Sequence, residues 1–340
     1  MKLLICYGTR PEYIKVKPLI KEFEGKLDFG TLHVGQHTDK DMIDNEKPDH
    51  FLLVPPSGSG NRLDVVFSFV VAGSHEIMKD YTHVLVQGDT ATVAALAIAA
   101  FNNGKKVIHL EAGLRTNDLQ NPFPEEGYRQ MVSRLANLHL CPTLSAKKNL
   151  NREGIWDNIA VVGNTVLDNI KDVVPWYSNR VLITLHRREN HKQIAQYFDV
   201  LEFLALSNPD LELILPIHPN PNVKKYEYLL NKVSVVPPMS HLEFINTLKN
   251  CRFVISDSGG IQEEASFLGK RVIVCRKTTE RQDGLNSFFN LCEYPDMLVS
   301  LFNEFKSDYR IDKPCPFGDG RAAEKILNEF KKRYSDMCIQ

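Results

Sequence analysis

The feature that most constrains the fold of this chain is a repeated alternation of short β-branched runs with longer amphipathic segments. The short apolar runs predict strands at 3–7, 84–87, 107–110, 181–184, 211–217, 253–256 and 271–275. The longer segments predict helices at 13–23, 92–101, 127–138, 191–206, 241–248, 261–268 and 321–334. Strands that alternate with helices in this way form parallel sheets with helices on both faces. The chain is therefore predicted to be an α/β protein.

The alternation is interrupted once, near residues 172–180, and then a fresh strand begins. A length of 340 residues is enough for about two domains. We therefore predict an N-terminal domain at 1–172 and a C-terminal domain at 173–320. From the residues alone, the last segment, 321–340, could pack on either domain.

The composition excludes several classes of function. Lys and Arg number 41 and Asp and Glu number 42, so the basic surface of a nucleic-acid-binding protein is absent. The longest apolar run, 93–101, is far shorter than the roughly 20 residues that cross a bilayer, so no membrane partner is expected. The seven cysteines are scattered and form no CxxC motif. This pattern predicts reduced thiols in a cytoplasmic protein, without a zinc site.

Polar residues follow the first predicted strand, where α/β sheets bind their ligands. Gly8 permits a tight turn, and Pro11 suits the start of a helix. Arg10 and Lys15 could then bind an anion at the N-terminus of that helix. The alternative is a helix cap flanked by two solvated cations.

Three carboxylates of the first half are expected at one edge of the sheet: Asp89, Glu111 and Glu125. Each also has a structural explanation. Asp89 could cap the next helix, Glu111 could pair with Arg115, and Glu125 could complement a helix dipole. Clustered carboxylates, however, raise one another's pKa and can divide the roles of acid and base. As a group they predict a catalytic function.

Two histidines of the second half, His186 and His218, lie at the ends of predicted strands. A lone histidine is usually structural. Two at equivalent strand ends favour hydrogen bonding to a phosphate or donation of a proton.

The sequence Ser258-Gly259-Gly260 enters a helix directly after a strand, and its amides could bind a diphosphate. Glu264 lies about one turn further on, where a carboxylate could bind ribose hydroxyls, and Arg281 offers a further cation for the phosphates. The alternative is a tight turn before an amphipathic helix. Together, the two halves predict a cleft in which carboxylates face a bound nucleotide.

Taken together, the motifs resemble those of the non-hydrolysing UDP-N-acetylglucosamine 2-epimerases. They span nearly the whole chain in the order of that family, and the ordered set is highly specific. The motifs are GTRPE at 8–12, GDT at 88–90, EAGLR at 111–115, PEE at 124–126, GNT at 163–165, HRRE at 186–189, SGGIQEE at 258–264, TER at 279–281 and PFGDG at 316–320.

The resemblance implies a fold and a reaction. The fold is the GT-B-like one of many sugar-nucleotide glycosyltransferases, with two Rossmann-like domains around a cleft and a last helix that returns to the first domain. The reaction is inversion at C2 of UDP-GlcNAc to give UDP-ManNAc, through an enzyme-bound glycal to which UDP adds back. The family needs neither a nicotinamide cofactor nor a metal, and its members are homodimers.

The resemblance also implies site residues, each by its matching motif. The catalytic positions of the family match Asp89, Glu111, Glu125 and His186. Its positions for binding the nucleotide or lining the cleft match Arg10, Lys15, His218, Ser258, Gly259, Gly260, Glu264 and Arg281. Which carboxylate is the base is left open.

The sequence departs from the family pattern in three places. Residues 36–38 read QHT where bacterial members often have QHR, which puts an activating second substrate site in doubt. The loop at 191–192 reads HK and lacks the usual glycines. Residues 47–52, KPDHFL, resemble relatives that act on UDP-2-acetamido-2,6-dideoxy-L-hexoses.

Four alternatives follow. One is a 2-epimerase of such a dideoxy sugar, of the UDP-L-RhaNAc to UDP-L-QuiNAc type. The second is the hydrolysing 2-epimerase, which releases ManNAc and UDP. The third is a glycosyltransferase of the same fold, but such an enzyme would not need three acidic residues at strand ends. The fourth is a sensor that binds the nucleotide sugar without turnover, but a sensor would not need the intact acidic motifs.

Overall fold

The computed structural model describes residues 1–35, 47–58 and 60–334. It divides into two compact units, each described by itself below. The first unit comprises the described residues up to Asn169 and those from Gly320 onward, and the second comprises Ile170–Asp319. The motif at 36–38 lies outside the described residues.

The first unit contains a parallel sheet covered by helices. Its strands are β1 (Leu3–Tyr7), β2 (Phe29–Gly35), β3 (His50–Leu53), β4 (His83–Gln87), β5 (Lys106–Leu110), β6 (Leu138–Cys141) and β7 (Ile159–Val161). Its helices are α1 (Arg10–Phe23), α2 (Arg62–Gly73), α3 (His75–Met78), α4 (Ala91–Asn102), α5 (Glu125–Leu135), α6 (Leu144–Arg152) and, from the end of the chain, α12 (Ala322–Arg333).

The second unit repeats this architecture. Its strands are β8 (Arg180–Thr184), β9 (Glu212–Pro216), β10 (Ser234–Val236), β11 (Phe253–Ser256), β12 (Val272–Val274) and β13 (Phe289–Leu291). Its helices are α7 (Ile194–Ser207), α8 (Pro221–Lys224), α9 (His241–Asn250), α10 (Gly259–Phe267) and α11 (Leu298–Ser307).

Both sheets have the doubly wound order of a Rossmann fold. Among the described residues, the strand order is β3-β2-β1-β4-β5-β6-β7 in the first sheet and β10-β9-β8-β11-β12-β13 in the second. Every pairing within these sheets is parallel. The direction in which successive strands are added to the sheet reverses between β1 and β4 and between β8 and β11. In doubly wound sheets such a reversal marks the usual ligand site, at the carboxyl ends of the strands. The prediction of parallel α/β sheets is confirmed.

The last helix, α12, completes the core of the first unit. Phe330 is fully buried, and its ring lies 5.6 Å from that of Phe23 on α1. Asp168 accepts hydrogen bonds from the amides of Ala322 and Ala323 at 2.9 and 2.7 Å, which fixes the start of the helix.

The predicted helix at 127–138 extends too far at its C-terminal end. In the structure α5 ends at Leu135, and the backbone of Ala136 is extended. Asn137 then bonds the backbone of Val107 through both its amide and its side chain, at 2.7 and 2.9 Å. These bonds align the chain beside β5, so Leu138 begins β6 instead of ending a helix.

Within the described part of the chain, no helix combines the length and apolar character needed to cross a membrane.

We predict that Phe330→Ala lowers the free energy of unfolding of the first unit by about 3–5 kcal/mol, because it leaves a cavity between α12 and α1. Urea unfolding followed by circular dichroism measures the change. The matched control is Phe101→Ala, whose side chain is 60% exposed and whose loss should cost less than about 0.5 kcal/mol. Equal effects of the two substitutions would contradict the buried position of Phe330.

Candidate functional site

Glu111 directly follows β5 and is a highly constrained carboxylate. Its backbone φ is 68°, in the left-handed region that residues other than glycine rarely adopt. Its Oε1 accepts hydrogen bonds from Nζ of Lys15 at 2.5 Å and from Nδ2 of Asn164 at 3.1 Å. Its Oε2 accepts from Nε2 of Gln87 at 2.5 Å. Donors from three separate segments therefore fix a side chain that is only 9% exposed.

The cation that pairs with Glu111 is Lys15, and the alternative of a pair with Arg115 is wrong. Arg115 instead bonds Glu153, with Nε and Oε1 2.6 Å apart. Arg10 is exposed at the first residue of α1. Anion binding by Arg10 and Lys15 stays a prediction, and Lys15 already has a carboxylate partner.

Asp89 follows β4 and is held by α5. Its Oδ2 accepts a hydrogen bond from Nε of Arg129 at 2.7 Å. The alternative that Asp89 caps α4 is wrong, because Thr90 is the cap residue and its side chain accepts from the amide of Val93. Arg129 also bonds Glu126 at 2.9 Å, so one guanidinium links the end of β4 to the start of α5.

Two adjacent carboxylates, Glu125 and Glu126, begin α5 and have different surroundings. Glu126 is fully buried and accepts hydrogen bonds from the amides of Thr116 and Asn117 at 3.0 and 3.1 Å. Burial opposes ionisation of Glu126, but these hydrogen bonds and Arg129 outweigh it and lower its pKa. Among the described residues, the buried Oε2 of Glu125 has no hydrogen-bond partner. Glu126 thus holds the preceding loop, and Glu125 has an oxygen available for a ligand.

In the second unit, His186 and His218 lie against each other. Their rings are stacked, with centroids 5.3 Å apart and planes inclined by 13°. Nδ1 of His218 accepts a hydrogen bond from the amide of Asn220 at 3.1 Å. Burial, with His186 beside it, lowers the pKa of His218. The lowered pKa favours the neutral imidazole of His218, in which Nδ1 is the acceptor and the proton lies on Nε2.

The start of α10 presents backbone amides at the positive end of a helix. Ser258 is the cap residue, and its hydroxyl makes no capping hydrogen bond. A Cβ on Gly259 would lie 2.5 Å from Nη1 of Arg281, so a larger residue there would displace this buried guanidinium. A Cβ on Gly260 would meet no atom within 4 Å. This arrangement suits an anion such as a phosphate.

The remaining candidates of this unit are held by other side chains. Arg281 is buried and bonds Glu263 at 2.9 Å, and it also bonds Glu280. Two carboxylates therefore neutralise Arg281, and its contact with a phosphate stays a prediction. Glu264 accepts a hydrogen bond from Nε2 of His241 at 3.0 Å.

Sequence reasoning missed the side chains that hold these candidates in place. The available signal was a polar residue at, or just beyond, the end of a buried strand. Gln87 is the last residue of β4, and Asp257 follows β11. The residues missed as site residues are Gln87, Arg129, Asn164 and Asp257.

Doubly wound parallel sheets with charged residues at the carboxyl ends of the strands are the architecture of nucleotide-binding α/β proteins. Residues 21–331 match the family model described as UDP-N-acetylglucosamine 2-epimerase. The chain belongs to this family, and the resemblance inferred from its motifs is confirmed.

Individual relatives match this chain over nearly its full length. The UDP-N-acetylglucosamine 2-epimerase of Campylobacter jejuni is 35% identical, and the match covers 99% of both chains. The crystal structure of UDP-GlcNAc 2-epimerase from Neisseria meningitidis bound to UDP-GlcNAc is 31% identical, with a TM-score of 0.87 over 98% of this chain and 100% of that one. A lipopolysaccharide outer core galactosyltransferase, WaaB, shares the fold alone, at 15% identity and a TM-score of 0.56 over 99% of this chain and 100% of that one.

We predict that Glu126→Gln lowers the free energy of unfolding at pH 7 by about 1–3 kcal/mol. A carboxylate whose pKa is lowered in the folded state stabilises the protein above its unfolded pKa, and this stability is lost as pH falls through the folded pKa. The difference between wild type and variant should therefore shrink as pH falls below the ordinary value of 4.5. Urea unfolding at neutral and acidic pH measures it. The control is Glu24→Gln, an exposed position, which should leave the free energy of unfolding unchanged at both pH values. A difference between Glu126→Gln and wild type that does not vary with pH would contradict a lowered pKa of Glu126.

Proposed function

We propose that this chain interconverts UDP-GlcNAc and UDP-ManNAc without hydrolysis. The observation that carries the proposal is the Glu111 carboxylate, fixed by Lys15, Gln87 and Asn164 directly after β5. A side chain held this firmly on a left-handed backbone is typical of a catalytic position. Membership of the UDP-N-acetylglucosamine 2-epimerase family supports the same reaction.

The chemistry requires acids and bases at C2 and a site for the leaving nucleotide. A carboxylate takes the C2 proton, the bond from C1 to the UDP oxygen breaks, and a C1–C2 double bond forms. UDP then adds back to C1 while C2 receives a proton on its opposite face. Because the C2 proton is only weakly acidic, its removal needs a well-positioned base. We propose that Asp89, Glu111 and Glu125 supply the base and the acid of these two proton transfers.

We propose that the second unit binds the UDP. The amides at Gly259 and Gly260 and the hydroxyl of Ser258 suit the diphosphate. Backbone amides at a helix start stabilise the charge that UDP gains as it leaves. Glu264, already oriented by His241, is proposed to bind the ribose hydroxyls. Retention of UDP makes its return to C1 effectively unimolecular, which favours epimerisation over hydrolysis.

The other expectations from sequence continue as proposals. We propose a homodimer that works in the cytoplasm without a nicotinamide cofactor or metal. The free cysteines among the described residues, most of them buried, support a reducing compartment. Size-exclusion chromatography with light scattering tests the oligomeric state.

Incubation with UDP-GlcNAc in heavy water tests the reaction. We expect deuterium at C2 of a sugar that still carries UDP, together with UDP-ManNAc as product. Free UDP in stoichiometric amount would contradict the non-hydrolysing reaction. Binding without exchange would identify a sensor. Exchange only with a UDP-2-acetamido-2,6-dideoxy sugar would correct the substrate.

We predict that Glu111→Gln lowers the exchange rate at C2 at least about 100-fold and leaves the chain folded, because the amide cannot act as a base. Exchange in heavy water and thermal unfolding measure the two effects. The matched control is Glu76→Gln, another glutamate of the first unit that pairs with a lysine, at 2.7 Å from Lys79. Activity of Glu111→Gln near that of wild type would refute its catalytic assignment.

A further inference from the structure

Asp257 lies directly after β11 and is completely buried. Its Oδ2 accepts hydrogen bonds from the amides of His186 and Arg187 at 2.9 and 2.8 Å. The same oxygen accepts from Nδ2 of Asn190 at 3.0 Å. One carboxylate oxygen therefore organises the whole turn that follows β8.

The other oxygen of Asp257 has a different neighbour. Oδ1 is buried and makes no hydrogen bond to any described residue. It lies 3.4 Å from Nδ1 of His186, within ion-pair distance. An unsatisfied buried oxygen is costly, and the imidazole of His186 is the group placed to satisfy it.

A purely structural role does not account for this second oxygen. The turn after β8 is held by bonds to Oδ2 alone. The two central strands are joined independently, because the hydroxyls of Thr184 and Ser256 lie 2.7 Å apart and the amide of Asp257 bonds the carbonyl of Thr184 at 3.2 Å. Neither set of bonds uses Oδ1.

We propose that Asp257 is the positioning residue for His186. Its carboxylate keeps the imidazole proton on Nδ1, which leaves Nε2 as the nitrogen that accepts a hydrogen bond or a proton. A carboxylate that fixes the tautomer and orientation of a catalytic histidine is a recurring device. This inference rests on the proposed function and on the catalytic position of the family that His186 matches.

The pairing gives the two stacked histidines opposite tautomers. Nδ1 of His218 accepts from a backbone amide, so His218 carries its proton on Nε2. His186, held by Asp257, carries its proton on Nδ1. Nε2 of His218 is therefore a donor, which suits a diphosphate oxygen. Nε2 of His186 is an acceptor, which suits a proton in transfer.

The substitution Asp257→Asn in the full chain tests the proposal. The three donors around Oδ2 require the oxygen of the asparagine amide at that position. The NH2 group of the asparagine amide must then face Nδ1 of His186. Because that NH2 group is a donor, Nδ1 becomes the acceptor, and the imidazole proton moves to Nε2. We expect kcat to fall about 100-fold while KM changes less than about threefold. A kcat near that of wild type would overturn the proposal.

The matched control is Glu202→Gln. Glu202 also accepts hydrogen bonds from backbone amides of the second unit, those of Asn231 and Lys232 at 3.0 and 2.9 Å. No contact joins it to an imidazole among the described residues. We expect its kcat to equal that of wild type, and near-ultraviolet circular dichroism checks that both variants are folded. An equal loss of kcat in both variants would indicate a structural role for Asp257.

A measurement on the wild-type protein keeps the inference testable if Asp257→Asn does not fold. Nitrogen NMR of histidine-labelled protein at about pH 8.5, roughly two units above the ordinary histidine pKa, reports each tautomer. The signal of His186 is assigned as the one absent from His186→Gln. We expect the Nδ1-protonated form, and an Nε2-protonated form would overturn the proposal. Absence of C2 exchange in the wild type would instead refute the proposed function, because the tautomer is measured without substrate.

Discussion

The reversal of strand order at the centre of each sheet is the constraint on which the rest of the structure depends. β1 pairs with β2 on one side and β4 on the other, and β8 pairs likewise with β9 and β11. The crossover connections leave the two central strands in opposite directions, so the segments beyond their carboxyl ends separate and can accept a ligand. Every candidate catalytic residue lies just beyond a strand or at the start of a helix, on the carboxyl side of its own sheet.

Each unit places a constrained carboxylate directly after a strand, Glu111 after β5 and Asp257 after β11, and the two have different partners. Glu111 is paired with a lysine and accepts hydrogen bonds from two amide side chains. Among the described residues, Asp257 pairs with no lysine or arginine, and its Oδ2 accepts hydrogen bonds from backbone amides and Asn190. Buried carboxylates persist only with such compensation. The difference fits their proposed tasks, because Glu111 is proposed to act on the sugar and Asp257 to act through an imidazole.

The α/β class and most candidate positions could be predicted because both depend on local patterns. Strong apolar runs marked the central strands, and turn motifs marked their ends. Six strands of the described residues were not predicted: β2, β3, β6, β7, β10 and β13. The edge strand β7, for example, is only three residues long. The partners could not be predicted, because Lys15 and Glu111 are 96 residues apart and meet only through the sheet register. The end of α5 at Leu135 likewise depends on Asn137 bonding β5, a tertiary contact.

The position of α12 affects the order in which the two units can complete their folding during synthesis. Domains fold as units while the chain emerges from the ribosome, usually the N-terminal one first. Here the first unit lacks Phe330 and its neighbours until the second unit has been synthesised. The apolar surface around Phe23 therefore stays uncovered during that interval. The unit that is begun first is completed last, and a nascent chain halted before Ala322 would carry an incomplete first core beside a finished second one.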